Sequence, residues 1–417
     1  MPCVLFLTQY FPPEIGAAQT RLFELGQELS GLGWDVEVLT ALPNYPTGRV
    51  FNGYDPTTPV KESIGRLSVV RVPLRPAQKG FVDRLWCYFS FIQSAIRWGP
   101  RLCAKPDVLF VESPPLFIGH AGVRLSRRWG VPMVFNVSDL WPESAKTMGV
   151  VKNPLVLTAA EALELSYYRR AALVTGTADG IIESIRRRCP STPAEVITNG
   201  VDVDRFGPQC ADEAARLLLG EQDRITFTYA GVMGMAQGLD LILDVATAVR
   251  DLTQVQFVLV GDGAERESLQ RRIESDGLHN VRLLRPQPKE RIPALLAMSS
   301  VAFHVLKFSI MGAVPSKIYE AMASGLPILF AGGGEGARRV QKAGAGLVVP
   351  YSDVIGLEKA VRRLAADPVL RCELGSAGRS AAEKLYSREE IAKRLHELLL
   401  GVIHRSEDAR IKKVVEA

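Results

Sequence analysis

The run Val314-Pro315-Ser316-Lys317-Ile318-Tyr319-Glu320-Ala321-Met322-Ala323-Ser324-Gly325-Leu326-Pro327 concentrates residues able to do chemistry. Pro315 or Ser316 opens a short helix there, and Gly325 closes it as a C′ glycine ahead of Pro327. The opening turn presents backbone N–H groups without intrahelical partners and a partial positive charge, which suit a diphosphate. Lys317 adds a full charge. Ser316, Lys317 and Glu320 share one face at helical spacing. A carboxylate repels phosphate, so the natural partner of Glu320 is a pair of hydroxyls such as those of a ribose. The same spacing also allows Glu320 to pair with Lys317 on an exposed surface.

Other candidates follow apolar runs. Lys307 comes directly after Val301 to Leu306, as a nucleotide contact or a solvated loop lysine. Asp139, in Ser138-Asp139-Leu140-Trp141-Pro142, follows Met133-Val134-Phe135. It can act as a base or acceptor contact together with Glu143, or start a turn or cap a helix. The six cysteines include no CxxC pair and the five histidines no HxxxH pair, so reduced thiols and no metal site are expected.

These residues need elements to place them. Short apolar runs alternate with helical patterns: Val4 to Leu7, a helix over Ala18 to Gly31, then Val36 to Leu39, Val108 to Val111, Met133 to Phe135 and Leu173 to Thr175. After a polar, Pro-containing stretch from Pro190 to Pro208 the rhythm restarts. Ile225 to Tyr229, Phe257 to Val260, Val281 to Leu284, Val301 to Phe303, Ile328 to Phe330 and Leu347 to Val349 follow. The pattern predicts an α/β chain of two doubly wound parallel-sheet domains bracketing a cleft, residues 1–195 and 196–380. A helical tail over 381–417 can cross back to the first domain. Ligands of such sheets sit at the carboxyl ends of strands, where these candidates lie.

The 417 residues are 47% hydrophobic and 23% charged, which excludes wholesale disorder. A net charge of +5 is too mild to argue for nucleic acid and fits an anionic small molecule or an anionic membrane surface. No basic, apolar and cleavable leader opens the chain, and no run reaches the roughly 18 apolar residues of a spanning helix. Cytoplasmic residence is expected, peripheral at the inner face of the plasma membrane. Residues 81–102, FVDRLWCYFSFIQSAIRWGPRL, mix aromatics with Arg84, Arg97 and Arg101 between Lys79 and Lys105. That suits a helix lying in a lipid interface; a core helix and a dimer face are the alternatives.

PSKIYEAMASGLP resembles the donor-site helix of glycosyltransferase family 4, the large retaining GT-B family. Further pieces fall in the family's order: Phe11-Pro12-Pro13-Glu14-Ile15-Gly16, Asn199-Gly200-Val201-Asp202 with Phe206, Gly231 to Gly238, Gly261-Asp262-Gly263, and Gly344 to Pro350. The runs LPNYPTGRVFNGY, DLWPES and YAGVMGMAQGLD are similar to bacterial L-N-acetylfucosaminyltransferases of O-antigen, capsule and lipopolysaccharide assembly. The resemblance implies the GT-B fold, two Rossmann-like domains facing across a cleft. It implies hexosyl or N-acetylhexosaminyl transfer from a UDP-sugar to an undecaprenyl-linked glycan, with retention and no metal. Glu320 would bind the ribose, Ser316 and Lys317 the phosphates, and Gly16 would let backbone approach the transferred sugar. Gln237, Gly238 and Glu265 would line the nucleotide side, with Pro286 and Gln287 at the base. Glu14 and Glu143 would face the acceptor.

The sequence departs from the family in three places. Gly312 stands at the first glutamate of the family's Glu-seven-Glu motif. Uncharged Val232 and Gln237 stand near its Arg and Lys pair, and Asp139 near its histidine. Lys307 and Lys317 are therefore expected to take over the charge work, with Asp139, as the catalytic set. A silent nucleotide-sugar-binding subunit and a GT-B epimerase or synthase are the rival readings. The run Gly332-Gly333-Gly334-Glu335-Gly336-Ala337 also fits the dinucleotide pattern GxGxxA. It lies in the second half, with only Asp353 near the place of a ribose acid, so a mobile loop beside the donor is expected instead.

Overall fold

The computed structural model describes residues 1–78, 80–147, 151, 153–220, 224–308, 312 and 314–415. Lys79, one of the basic residues beside the aromatic segment, lies outside them. The chain forms two units, Met1–Asn199 with Arg388–Ala417, and Gly200–Ser387. These limits fall a few residues beyond the expected boundaries.

In unit 1 the strands are β1 (Cys3–Leu7), β2 (Asp35–Ala41), β3 (Val60–Ile64), β4 (Leu67–Val72), β5 (Val108–Ser113), β6 (Met133–Val137), β7 (Leu173–Gly176) and β8 (Ala194–Val196). Their order is β3-β4-β2-β1-β5-β6-β7-β8. Only β3 runs antiparallel to its neighbour, β4. The inner strands are mainly apolar because helices cover both faces: Val4, Val36, Val108 and Val134 are all buried, and the polar Glu112 and Asn136 fall toward the carboxyl ends of β5 and β6. Strands β3, β4 and β8 were not foreseen. β3 reads VKESI, half-exposed, and lacks the continuous apolar run that marks a two-sided strand.

Unit 2 holds β9 (Ile225–Ala230), β10 (Val255–Val260), β11 (Val281–Leu284), β12 (Val301–Val305), β13 (Ile328–Ala331) and β14 (Gly346–Val349). All pairs are parallel, in the order β11-β10-β9-β12-β13-β14. In both sheets the winding reverses beside the first strand, between β1 and β5 and between β9 and β12. Loops leaving the two sides of that reversal diverge and open a crevice at the carboxyl edge.

The tail returns to unit 1. The helix Arg388–Val415 places Ile391, Ala392, Leu395, Leu399 and Val402 in one core with Val4, Leu22 and Trp34. Trp34 Nε1 donates to His396 Nδ1 at 2.8 Å and Arg388 pairs with Glu24.

The aromatic segment is the helix Phe81–Leu102. Its Cys87, Phe91, Ile92 and Ala95 are buried, as a core helix requires. Its exposed stripe is apolar only at the start, through Val82, Trp86 and Phe89, and continues as Gln93, Arg97 and Arg101. The surface able to meet lipid is therefore its first turns, not the whole segment.

Because Leu399 is fully buried in a core that the tail shares with β1 and β2, Leu399→Ala is expected to destabilise the protein by about 2–5 kcal/mol. Urea denaturation followed by tryptophan fluorescence measures it; a change under about 1 kcal/mol would mean that the tail docks loosely.

Candidate functional sites of the two units

In unit 2, three loops meet at the reversal. The loop after β9 is joined to the loop after β10: Met233 N donates to Asp262 O at 2.8 Å, and Glu265 N donates to Met233 O at 2.9 Å. Gly261, at φ +150°, lies so close that a Cβ there would strike Gly231 O. The loop after β12 is tied in by Lys307 N donating to Ala236 O at 3.1 Å.

Into this junction comes Lys317, the first residue of the helix Lys317–Ala323. Its side chain passes over Gly231, where a Cβ would fall 2.7 Å from the ammonium nitrogen. Among the described residues, neither Lys317 nor Lys307 has a carboxylate partner. Lys307 Nζ stands 5.5 Å from the ring centre of exposed Phe308. Glu320 makes no ion pair with Lys317, so the alternative pairing is not adopted. Buried His304, near Lys317, is held neutral, its pKa pushed down to about 3 by burial and then by the lysine's charge. Its Nε2 has no partner among the described residues. Arg266 Nη1 donates to Gly261 O at 3.0 Å and to Leu284 O at 2.8 Å in the same loops, so Lys317, Lys307 and Arg266 together make the region positive, and an anion is what it lacks.

The remaining nucleotide-side residues are placed as follows. Ser316 is exposed, makes no side-chain cap, and precedes the helix, which Gly325 ends at φ +69°. Gln237 braces its own loop, accepting from Gly234 N at 3.2 Å. Gly238, at φ +66°, lies under the Tyr351 hydroxyl, which donates to its carbonyl. Glu265 precedes the helix Arg266–Ser275. Pro286 and Gln287 follow edge strand β11, and Gln287 Nε2 folds back to Arg285 O. Gly312 is buried at φ +79°, a backbone setting that disfavours glutamate. The Gly332 to Ala337 run is a turn into the helix Gly334–Lys342, with buried Glu335 paired to Arg338 and Arg339.

In unit 1 the equivalent crevice is filled. Arg21 Nη2 contacts both oxygens of Glu112 at 2.7 Å, with both side chains buried. Asn136 and Ser138 donate to the same carboxylate, and Thr175 donates to Asn136. Arg21 Nη1 keeps no partner among the described residues. Asp139, next to this network, is half-buried with no hydrogen bond among the described residues, and burial raises its pKa. Glu143 opens the short helix Glu143–Thr147.

Glu14 does not face open space. Its carboxylate accepts from Asn44 N and Tyr45 N at 2.8 Å and from Phe11 N at 3.2 Å, tying the loop after β2 to the loop after β1. Burial raises its pKa, against the opposing pull of those amides. Gly16 precedes the helix Ala17–Gly31 with an extended backbone. Gly16 also lines a cavity of about 480 Å³ with Tyr10, Gln19, Asn44, Tyr45 and Arg84.

Residues 16–200 match the Glycosyl transferase 4-like domain and residues 213–381 match Glycosyl transferases group 1. The chain is a glycosyltransferase. The glycosyltransferase is 26% identical over 332 residues to the putative colanic acid biosynthesis glycosyl transferase WcaI of Escherichia coli K12, spanning 76% of this chain and 79% of that protein. Sucrose-phosphate synthase from Thermosynechococcus elongatus superposes with a TM-score of 0.75 at 19% identity, covering 97% of this chain and 100% of its own. Anabaena HepE in complex with UDP superposes with a TM-score of 0.70 at 17% identity, covering 96% and 100%. Its fold is that of GT-B glycosyltransferases, two Rossmann-like units.

Sequence reasoning took Gly231 only as the start of the Gly231 to Gly238 run, and did not single out His304, the Arg21–Glu112 pair or the cavity of unit 1. A histidine inside an apolar strand and a lone arginine on a helix otherwise packed by leucines were the available signals for two of them.

The raised pKa of Asp139 has a consequence for stability. The folded protein holds its proton more tightly than the unfolded chain, so stability falls as pH rises through the window between the two values. Asp139→Asn is expected to melt higher than wild type at pH 7, with the gap closing as pH falls into the ordinary carboxylate range. Equal melting temperatures at pH 7, in scans by differential calorimetry, would refute the desolvation.

Proposed function

We propose that this glycosyltransferase moves a sugar, of the N-acetylfucosamine kind, from a UDP-sugar to a lipid-linked glycan of the bacterial surface, O-antigen or capsule. The observation that carries the donor half is the pair Lys307 and Lys317, both without a carboxylate partner among the described residues, at the winding reversal of unit 2. An ammonium group lying over glycine backbone, with a second lysine in the loop after β12, suits a diphosphate. The two lysines supply charge to the leaving nucleotide, so no metal enters the proposal. Glu320, free of Lys317, is left for the ribose. Ser316 stands at the phosphates, and Glu265, Pro286 and Gln287 on the side of the base.

In this reading the sugar leaves with retention. The departing phosphate oxygen takes the acceptor hydroxyl's proton while the lysines stabilise the charge growing on the diphosphate. Asp139 and Glu143 serve the acceptor in unit 1. Val82, Trp86, Phe89 and Arg84 rest on the inner face of the plasma membrane. The similarity to WcaI supports a surface-glycan role, and the UDP bound by HepE supports the choice of base.

The test is release of UDP from a panel of UDP-sugars with and without a polyprenyl-linked glycan. Release is expected only with the acceptor. Lys307→Ala is expected to raise the donor KM about ten-fold or more, the loss of one charge-assisted contact. An unchanged donor KM in that variant would contradict the assignment, and sugar-nucleotide interconversion without acceptor would replace transfer by epimerisation.

A further inference from the structure

The cavity of unit 1 lies among the loops after β1 and β2 and the start of the helix Phe81–Leu102. Its walls are aromatic and neutral polar. The Tyr10 and Tyr45 rings stand 5.6 Å apart, edge to face, and Gln19 and Asn44 add amides. Aromatic faces suit the C–H faces of a sugar ring, and amides suit its hydroxyls. Behind the wall, buried Gln9 reaches Tyr10 and Cys87 through Nε2, while its Oε1 has no partner among the described residues. Gly48, at φ +66°, lets the loop after β2 close on the segment after β4, since a Cβ there would strike Ala77 O.

Among the described residues one charged side chain lines this cavity, Arg84, and it has no carboxylate partner among them. The neighbouring acids are committed elsewhere. Glu14 is turned to backbone amides, and Asp83 accepts from Gln78 N and Arg75. A neutral sugar would leave the guanidinium to water, whereas a phosphate on the sugar would use it. We infer that this cavity binds the sugar-phosphate end of the acceptor, with Arg84 as its anion contact. The inference rests on the proposed acceptor role of unit 1 and names the acceptor's chemical class. Val82, Trp86 and Phe89 are exposed on the same first turns, so a hydrocarbon chain joined through that phosphate has an apolar path beside Arg84. The phosphate belongs to a lipid carrier or to a free sugar phosphate, and the two are separable.

The experiment is calorimetric titration of the full chain with N-acetylhexosamine, N-acetylhexosamine 1-phosphate and a short polyprenyl-diphosphate N-acetylhexosamine, with UDP as the control ligand. Both phosphorylated probes are expected to bind at least ten-fold more tightly than the neutral sugar. Arg84→Gln is expected to erase that preference and leave UDP affinity unchanged, and Tyr45→Ala to weaken all three sugar probes. Equal affinity for neutral and phosphorylated sugar, or a preference that survives Arg84→Gln, would overturn the inference. Failure of UDP to bind, with the phosphate preference intact, would sink the donor reading while upholding this one. A lipid-linked probe that outbinds the free phosphate, by a margin lost in Trp86→Ser with Phe89→Ser, identifies the lipid as the source. Equal binding of the two identifies the free sugar phosphate.

Discussion

A parallel sheet whose winding reverses beside its first strand leaves a gap at its carboxyl edge, and both units must deal with that gap. They do so in opposite ways. In unit 1 a buried ion pair closes it, Arg21 against Glu112, with Asn136 and Ser138 completing the carboxylate's hydrogen bonds. Two charges removed from water cost several kcal/mol each, so such a pair persists only when its partners are well placed. In unit 2 Lys307 and Lys317 stand in the loops at the gap, and neither is paired with a carboxylate among the described residues. One gap is neutralised by the chain itself; the other stays positive.

That difference depends on backbone approach. Gly231 must lack a Cβ for Lys317 to cross it, and Gly261 must lack one for its own loop to lie against Gly231. His304 beneath them stays uncharged, so it neither competes for an anion nor adds to the lysines. Gly312, held at positive φ and buried, removes the carboxylate that the family's pattern would place there.

The sheets were legible because two-sided burial writes itself as continuous apolar runs, such as Val108 to Val111 and Phe257 to Val260. The lysines were legible too, Lys307 as a charge following the apolar run Val301 to Leu306 and Lys317 as a charge in the opening turn of a short helix. The β3–β4 hairpin was not, since VKESI is half-exposed and polar. Glu14 was read from its place in a motif, while its actual partners are backbone amides from a loop some thirty residues away. Tyr10, Tyr45 and Arg84 come from three separate segments and carry no joint signal until the fold brings them together. The helix Phe81–Leu102 left interfacial, core and dimer readings open because composition does not say which aromatics face inward.

The most direct measurement is UDP binding by calorimetry to wild type and to Gly231→Ala. Gly231 is not at positive φ, so alanine is tolerated by the backbone, and the atoms nearest its methyl group belong to the flexible Lys317 side chain. The expected result is at least a ten-fold loss of UDP affinity with an unaltered melting temperature, because Lys317 is pushed from its place. Undiminished UDP binding by Gly231→Ala would contradict the claim that Lys317, lying across that glycine, holds the diphosphate.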